Sequence, residues 1–179
     1  MMKRIVVLSS AIVLTAAAPA FAQKVLADAM ARSAAGTFRN LVESAEKMPE
    51  ADYSFQATKD TRTFAGFVGH TINAAYNNCS RAKGEANPNQ EDLEKVTSKA
   101  KLVEAAKAVQ AYCDAVYAAQ TDASLTEMVQ AGQNQVPRGQ LLLGVISHNM
   151  NEYGQKVILM RLKGIVPPTT ERATRKPAI

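Results

Sequence analysis

From Val25 onward, apolar side chains return every three or four residues, the spacing that lines one face of an α-helix. No stretch alternates convincingly at the two-residue period of a half-buried strand, so the chain is expected to be all-α. Leu26, Met30, Ala34, Phe38, Leu41 and Ala45 mark a first helix over Val25 to Lys47, stopped by Met48-Pro49 because a residue before proline avoids the α region. A loop of about 15 residues with Tyr53 and Phe55 follows, its aromatics expected to pack on the helices. Thr63 is a suitable N-cap for a second helix reaching about Ala82, and Gly84 and Asn87-Pro88 break the chain after it. A third helix is expected from Glu91 to Ala118, with Leu93, Val96, Ala100, Val103, Ala106, Cys113 and Tyr117 as its core stripe. Residues 119 to 137 are polar and read as a long connection with a helical turn near Leu125. A fourth helix runs from about Gly139 to Lys163. Gly164 suits a left-handed C′ position, Ile165 its hydrophobic contact, and Pro167-Pro168 a stop.

Four long amphipathic helices in one small domain imply a four-helix bundle over residues 23–170, with a flexible basic tail over 171–179. The short link between helices two and three predicts that they are antiparallel neighbours. At 179 residues, 47% hydrophobic and 21% charged, the chain has the composition of one globular domain. A disordered chain, a collagen-like fibre and a disulfide-dense mini-protein are excluded.

Residues 1–22 have the three parts of a secretory signal peptide: basic Lys3-Arg4, an almost unbroken apolar run from Ile5 to Ala18, and the small-x-small site Ala20-Phe21-Ala22. Fourteen helical residues span about 21 Å, short of a hydrocarbon core of about 30 Å. The expected product is therefore periplasmic or secreted, without a membrane anchor after cleavage. The formal charge of +5 loses Lys3 and Arg4 with the leader, and the other basic residues are dispersed, without an aromatic-interleaved cluster. Nucleic acid is not an expected partner.

Only two histidines are present, His70 and His148, both within expected helices. Glu152 follows His148 by four residues, so the two share a face about 40° apart. Leu141, Val145 and Leu159 sit within about 60° of His148, so an imidazole and a carboxylate interrupt an otherwise apolar stripe. A carboxylate buried there must be paired, coordinated or protonated. With His70 as a third donor, the set is that of a divalent-metal site with open positions. Against this, Glu152 could pair with Lys156 on a solvated face, and His70 lies opposite the most apolar face of its helix (Val68, Ile72, Ala75, Cys79). Asn73 and Asn77 share the His70 face and are candidates to support a ligand or touch a substrate, or to form a solvated polar stripe. Asn149 and Tyr153 adjoin the ligands in sequence but point about 100° away. Cys79 and Cys113 sit on the apolar sides of neighbouring helices. In an oxidising compartment they form either a disulfide or a pair of buried thiols.

The segments Gly69-His70-Thr71-Ile72-Asn73-Ala74-Ala75-Tyr76, His148-Asn149-Met150-Asn151-Glu152-Tyr153-Gly154-Gln155 and Gly164-Ile165-Val166-Pro167-Pro168 resemble the DinB-like (damage-inducible) family of metalloenzymes. Met48-Pro49-Glu50 through Phe55 resembles that family's first loop. The resemblance implies a four-helix bundle holding a divalent metal with three histidines, one on helix two and a His-x-x-x-His pair on helix four. His70 and His148 match two of these; Glu152 stands where the third histidine is expected. The implied function is a metal-dependent hydrolase or transferase acting on a small molecule, with zinc, nickel, iron or manganese as the ion. The alternative is a non-catalytic binding or stress-response bundle that has lost its metal. The family also implies pairing with a second copy of the chain.

Overall fold

The computed structural model describes residues 23–175, so the leader expected over residues 1–22 lies outside the described residues. Four long helices form the bundle: α1 (Val25–Lys47), α2 (Phe64–Lys83), α3 (Lys99–Ala118) and α4 (Arg138–Leu162). A two-stranded ribbon, β1 (Met128–Ala131) and β2 (Asn134–Pro137), precedes α4, and a short α5 (Pro168–Thr174) follows it. Among the described residues, no helix is long and apolar enough to cross a membrane.

The capping chemistry fixes the helix ends. The Thr63 hydroxyl accepts from the Gly66 N–H at 3.0 Å and starts α2. Gly164, at φ 71°, ends α4, and the Ile165 N–H donates to the Met160 carbonyl at 2.9 Å, which turns Ile165 back onto the core. The interior is a single cluster in which Phe38, Phe64, Ile72, Leu102, Val109, Leu142 and Met160 are fully buried. Each such side chain contributes roughly 1.5–3 kcal/mol. Tyr53, from the first loop, is buried with its hydroxyl donating to the Ala45 carbonyl.

Helix directions follow from which residues meet. Thr37 of α1 meets Asn149 of α4, and Lys163 just past α4 pairs with Asp52 just past α1, so these two helices are parallel. Lys107 of α3 pairs with Glu46, while Lys24 reaches the Ala118 carbonyl, so α1 and α3 are antiparallel. His70 meets His148 and Arg138 reaches the Ala82 carbonyl, so α2 and α4 are antiparallel. Tyr76 stacks beside Tyr112 and Cys79 joins Cys113, both pairs toward the C-terminal ends, so α2 and α3 run parallel. The bundle is thus up-down-down-up, with α1 and α2 on a diagonal.

This corrects the antiparallel order expected for helices two and three. The connection 84–98 is not a tight turn. It climbs back along α2, and its 3-10 turn Leu93–Lys95 lies against Gly69 near the start of that helix. Fifteen residues reach up to about 50 Å extended, ample for the roughly 30 Å length of α2. The third helix accordingly begins at Lys99, capped by Ser98, and Leu93 is buried from the turn rather than from a helix.

Two other expectations change. The connection 119–137 does contain a helical turn, Ser124–Thr126, but also the β1–β2 hairpin, whose strands are too short and too polar to show an alternating pattern. Gly132, at φ 67°, opens its two-residue loop. Of the tail expected to fray from Glu171, residues 171–174 instead form the end of α5, and residues 176–179 lie outside the described residues. Glu171 pairs with Lys47, and Arg172 pairs with Glu43 and Asn40, so charge complementarity with α1 holds this segment. Pro168 starts α5 rather than only stopping α4, because the first helical turn needs no N–H from proline.

Candidate metal centre

The second turn of α2 carries His70, and the middle of α4 carries His148 and Glu152. Because these helices are antiparallel neighbours, the three side chains meet in one place. One ligand-capable atom from each lies within 4.8 Å of the other two. The two imidazole Nε2 atoms are 3.2 Å apart, and Glu152 Oε1 lies 3.8 Å from His148 Nε2. Two donors about 2.1 Å from a common ion stand about 3.0 Å apart at right angles and about 3.4 Å apart at the tetrahedral angle. The imidazole separation falls between these values. The Glu152 oxygen stands further out, 3.8 Å from His148 Nε2, and has to move in toward both imidazoles to complete the set.

The polar atoms at this place are poorly satisfied by the protein alone. Glu152 is buried, and its Oε2 has no hydrogen-bond partner. His148 Nδ1 is buried and unpartnered as well. A carboxylate held in this way without a compensating cation costs several kcal/mol, so the donor set fits a divalent ion. Desolvation pushes the His148 imidazole below its ordinary pKa, with Glu152 working in the opposite direction, which favours the neutral ring a metal ligand requires. Both imidazoles keep about a quarter of their side-chain surface exposed, which leaves an approach from solvent.

The face of α2 opposite its apolar stripe is thus neither core nor open surface: α4 and the Leu93–Lys95 turn cover it. That turn brings a residue that periodicity did not single out. Glu94 Oε1 lies 2.5 Å from His70 Nδ1, and its other oxygen accepts from Arg62 Nε at 3.0 Å. Burial works against the Glu94 charge, but the hydrogen bonds from His70 and Arg62 prevail and hold its carboxyl below the usual range. With Nδ1 against Glu94, His70 turns its Nε2 toward His148. The sequence signal that could have marked Glu94 is weak: an acidic residue 24 positions from its partner, in a segment read as helical.

Asn73 and Asn77 do not join the cluster. Asn73 Nδ2 donates to Asp92 at 3.2 Å, and its Oδ1 accepts from Asn89 Nδ2 at 3.1 Å and the Leu93 N–H at 3.4 Å. It therefore holds the turn that carries Glu94 rather than a substrate. Asn77 lies about 10 Å along α2 from His70. Asn149 is buried against Thr37 and Tyr153 contacts Thr169, both away from the centre.

Lys156 does not face solvent. It is fully buried one turn beyond Glu152, and its Nζ donates to Thr71 Oγ1 at 2.8 Å. Burial lowers its pKa to about 7, against the attraction of Glu152. Cys79 and Cys113 are bonded as a disulfide, with their Cα atoms 5.7 Å apart, clamping the lower halves of α2 and α3.

A bundle of this topology has known counterparts. The family model described as the DinB superfamily matches residues 34–155, and the chain belongs to that superfamily. Its fold is similar to that of a DinB-like protein from Bacillus cereus ATCC 10987. The TM-score is 0.69 at 18% identity, covering 79% of this chain and 95% of that one. A DinB-like protein from Bacillus subtilis is similar at TM-score 0.64 and 18% identity, covering 77% and 94%. No curated protein matches the chain.

Proposed function

We propose that this DinB-superfamily protein is an exported metal-dependent enzyme, a hydrolase or transferase of small molecules, in which His70, His148 and Glu152 hold one divalent ion. The observation that carries this reading is the convergence, from two helices, of two imidazole nitrogens and a buried carboxylate with one unpartnered oxygen. One carboxylate with two imidazoles is a harder donor set than three imidazoles, and it suits iron or manganese as well as zinc or nickel. A divalent ion bound there would supply a nucleophile near neutral pH by acidifying a water or thiol.

The surrounding residues have separable tasks. Burial lowers the His148 pKa and so favours the neutral imidazole that a metal ligand requires, and His70 is turned toward the same point with its Nδ1 against Glu94. Glu152 offers Oε1 toward the imidazoles, and its unpartnered Oε2 is free to accept a proton from a nucleophile. The partly exposed imidazole edges give a small molecule an approach to the centre from solvent.

A second reading, a non-catalytic binding or stress-response bundle, is favoured by one observation. Buried Lys156, one turn from Glu152, offers that carboxylate a cation of the protein's own. Metal content separates the two. Protein expressed with its leader and purified from the periplasm should carry close to one equivalent of divalent metal, and His148→Ala should carry none. Metal-free wild-type protein that is fully folded, and that gains no thermal stability from added zinc, iron, nickel or manganese, overturns the enzyme reading.

A further inference from the structure

The turn Leu93–Lys95 is pressed onto α2 more closely than any side chain would permit. A Cβ built on Gly69 would stand 2.0 Å from the Leu93 carbonyl oxygen and 2.4 Å from its carbon. Glycine at this place lets the backbone of the turn touch the backbone of the helix. Four residues on, Asn73 grips the same turn through Asp92, Asn89 and the Leu93 N–H. Asp92 in turn caps the 3-10 turn by accepting from the Glu94 N–H at 3.2 Å. Gly69 and Asn73 flank His70 on its own helix, and the residue they deliver to it is Glu94. Arg62, just before the Thr63 cap, takes the second Glu94 oxygen and fixes the carboxylate's rotation.

We infer that Glu94 is a positioning residue for His70, and that Gly69, Asn73 and Arg62 hold the crossover turn so that the Glu94 carboxylate fixes this imidazole with its Nε2 lone pair directed at Glu152 and His148. An imidazole in water populates both neutral tautomers and rotates about χ2. A carboxylate on Nδ1 removes both freedoms and makes Nε2 a more basic donor. The long crossover between α2 and α3 thereby does more than connect two parallel helices. It supplies the outer partner of a ligand on the helix it has just left. The inference rests on the metal reading for its effect on affinity. Its effect on the tautomer holds in the metal-free protein too.

The test uses the mature protein, wild type and the variants Glu94→Ala and Glu94→Gln, in two measurements. Nitrogen-15 imidazole spectra of metal-free protein should show His70 protonated at Nδ1 in the wild type. In Glu94→Ala the Nε2-protonated form should appear. Zinc titration against a competing chelator should show a 10- to 100-fold loss of affinity in Glu94→Ala, the scale found when such outer partners are removed. Glu94→Gln, whose amide oxygen can still accept from Nδ1 but carries no charge, should fall between. Circular dichroism identifies any variant that has failed to fold, and Glu94→Gln, nearly isosteric, then stands in for Glu94→Ala. An unchanged His70 tautomer in folded Glu94→Ala, or zinc affinity within twofold of wild type in every folded variant, overturns the inference. If the wild type binds no zinc but the tautomer shifts as stated, the metal reading fails and the positioning role stands.

Discussion

At the scale of single residues, the most consequential side chain beyond the three candidate ligands is Lys156. Its folded pKa is lowered to about 7 from an ordinary 10.5, chiefly by burial. Between those values the unfolded chain holds a proton that the folded chain lacks. Stability should therefore rise with pH across that window, by up to about 1.4 kcal/mol per pH unit. Below pH 7 the penalty of the buried ammonium is fully present. Lys156→Met, similar in volume and uncharged, should flatten this slope. Urea denaturation in EDTA at pH 6.5, 8 and 9.5 measures it, and equal slopes in the two proteins would contradict the assignment. The sequence allowed Lys156 only as a surface partner for Glu152, because a lysine at i+4 from a glutamate fits that pattern and nothing local shows that α2 covers it. His148 and Glu152 were legible for the opposite reason: an imidazole and a carboxylate within an apolar stripe demand an explanation from the sequence itself, whereas His70, opposite the apolar face of its helix, was reached as the one other histidine and through the family resemblance. Glu94 was not legible, because its role depends on a backbone contact at Gly69.

At the scale of elements, helix ends were the best-read features. α1 spans Val25–Lys47 as the Met48-Pro49 stop required, and Thr63 and Gly164 act as the caps their chemistry suggested. Segments held by long-range partners were misread: the crossover 84–98, the β1–β2 hairpin and α5 owe their form to α2, to each other and to α1 respectively. Gly69→Ala should test the tightest of these contacts. The added methyl meets backbone rather than a flexible side chain, so the turn must lift, at a cost of roughly 1–3 kcal/mol. Zinc affinity should fall with it, since Glu94 moves away from His70. Calorimetric unfolding showing no loss of stability would mean that the turn is free to shift. The disulfide is a second element-level constraint. It closes a loop with a sequence separation of 34 residues, worth about 4 kcal/mol in the chain-entropy model. Replacing Cys79 and Cys113 together by alanine should lower the urea-denaturation free energy by about that amount, whereas a change below about 1 kcal/mol would show that parallel packing of α2 and α3 suffices.

At the scale of the whole molecule, the up-down-down-up order explains why the centre lies where it does. Antiparallel α2 and α4 bring residue 70 opposite residues 148 and 152, and the returning crossover covers the outer side of His70. An all-α bundle was readable from periodicity, but its direction pattern was not, since the 15-residue crossover can either turn back at once or climb the helix. A ligand that binds only the folded bundle stabilises it by mass action, about 2.7 kcal/mol at a free concentration one hundred times its dissociation constant. The most direct test of the central claim is X-ray absorption at the metal K-edge of zinc-loaded protein. The structure predicts one zinc with two imidazole nitrogens and at least one oxygen at about 2.0–2.2 Å, and loss of an imidazole signal in His70→Ala. A shell made only of oxygen, or one unchanged in His70→Ala, would contradict it.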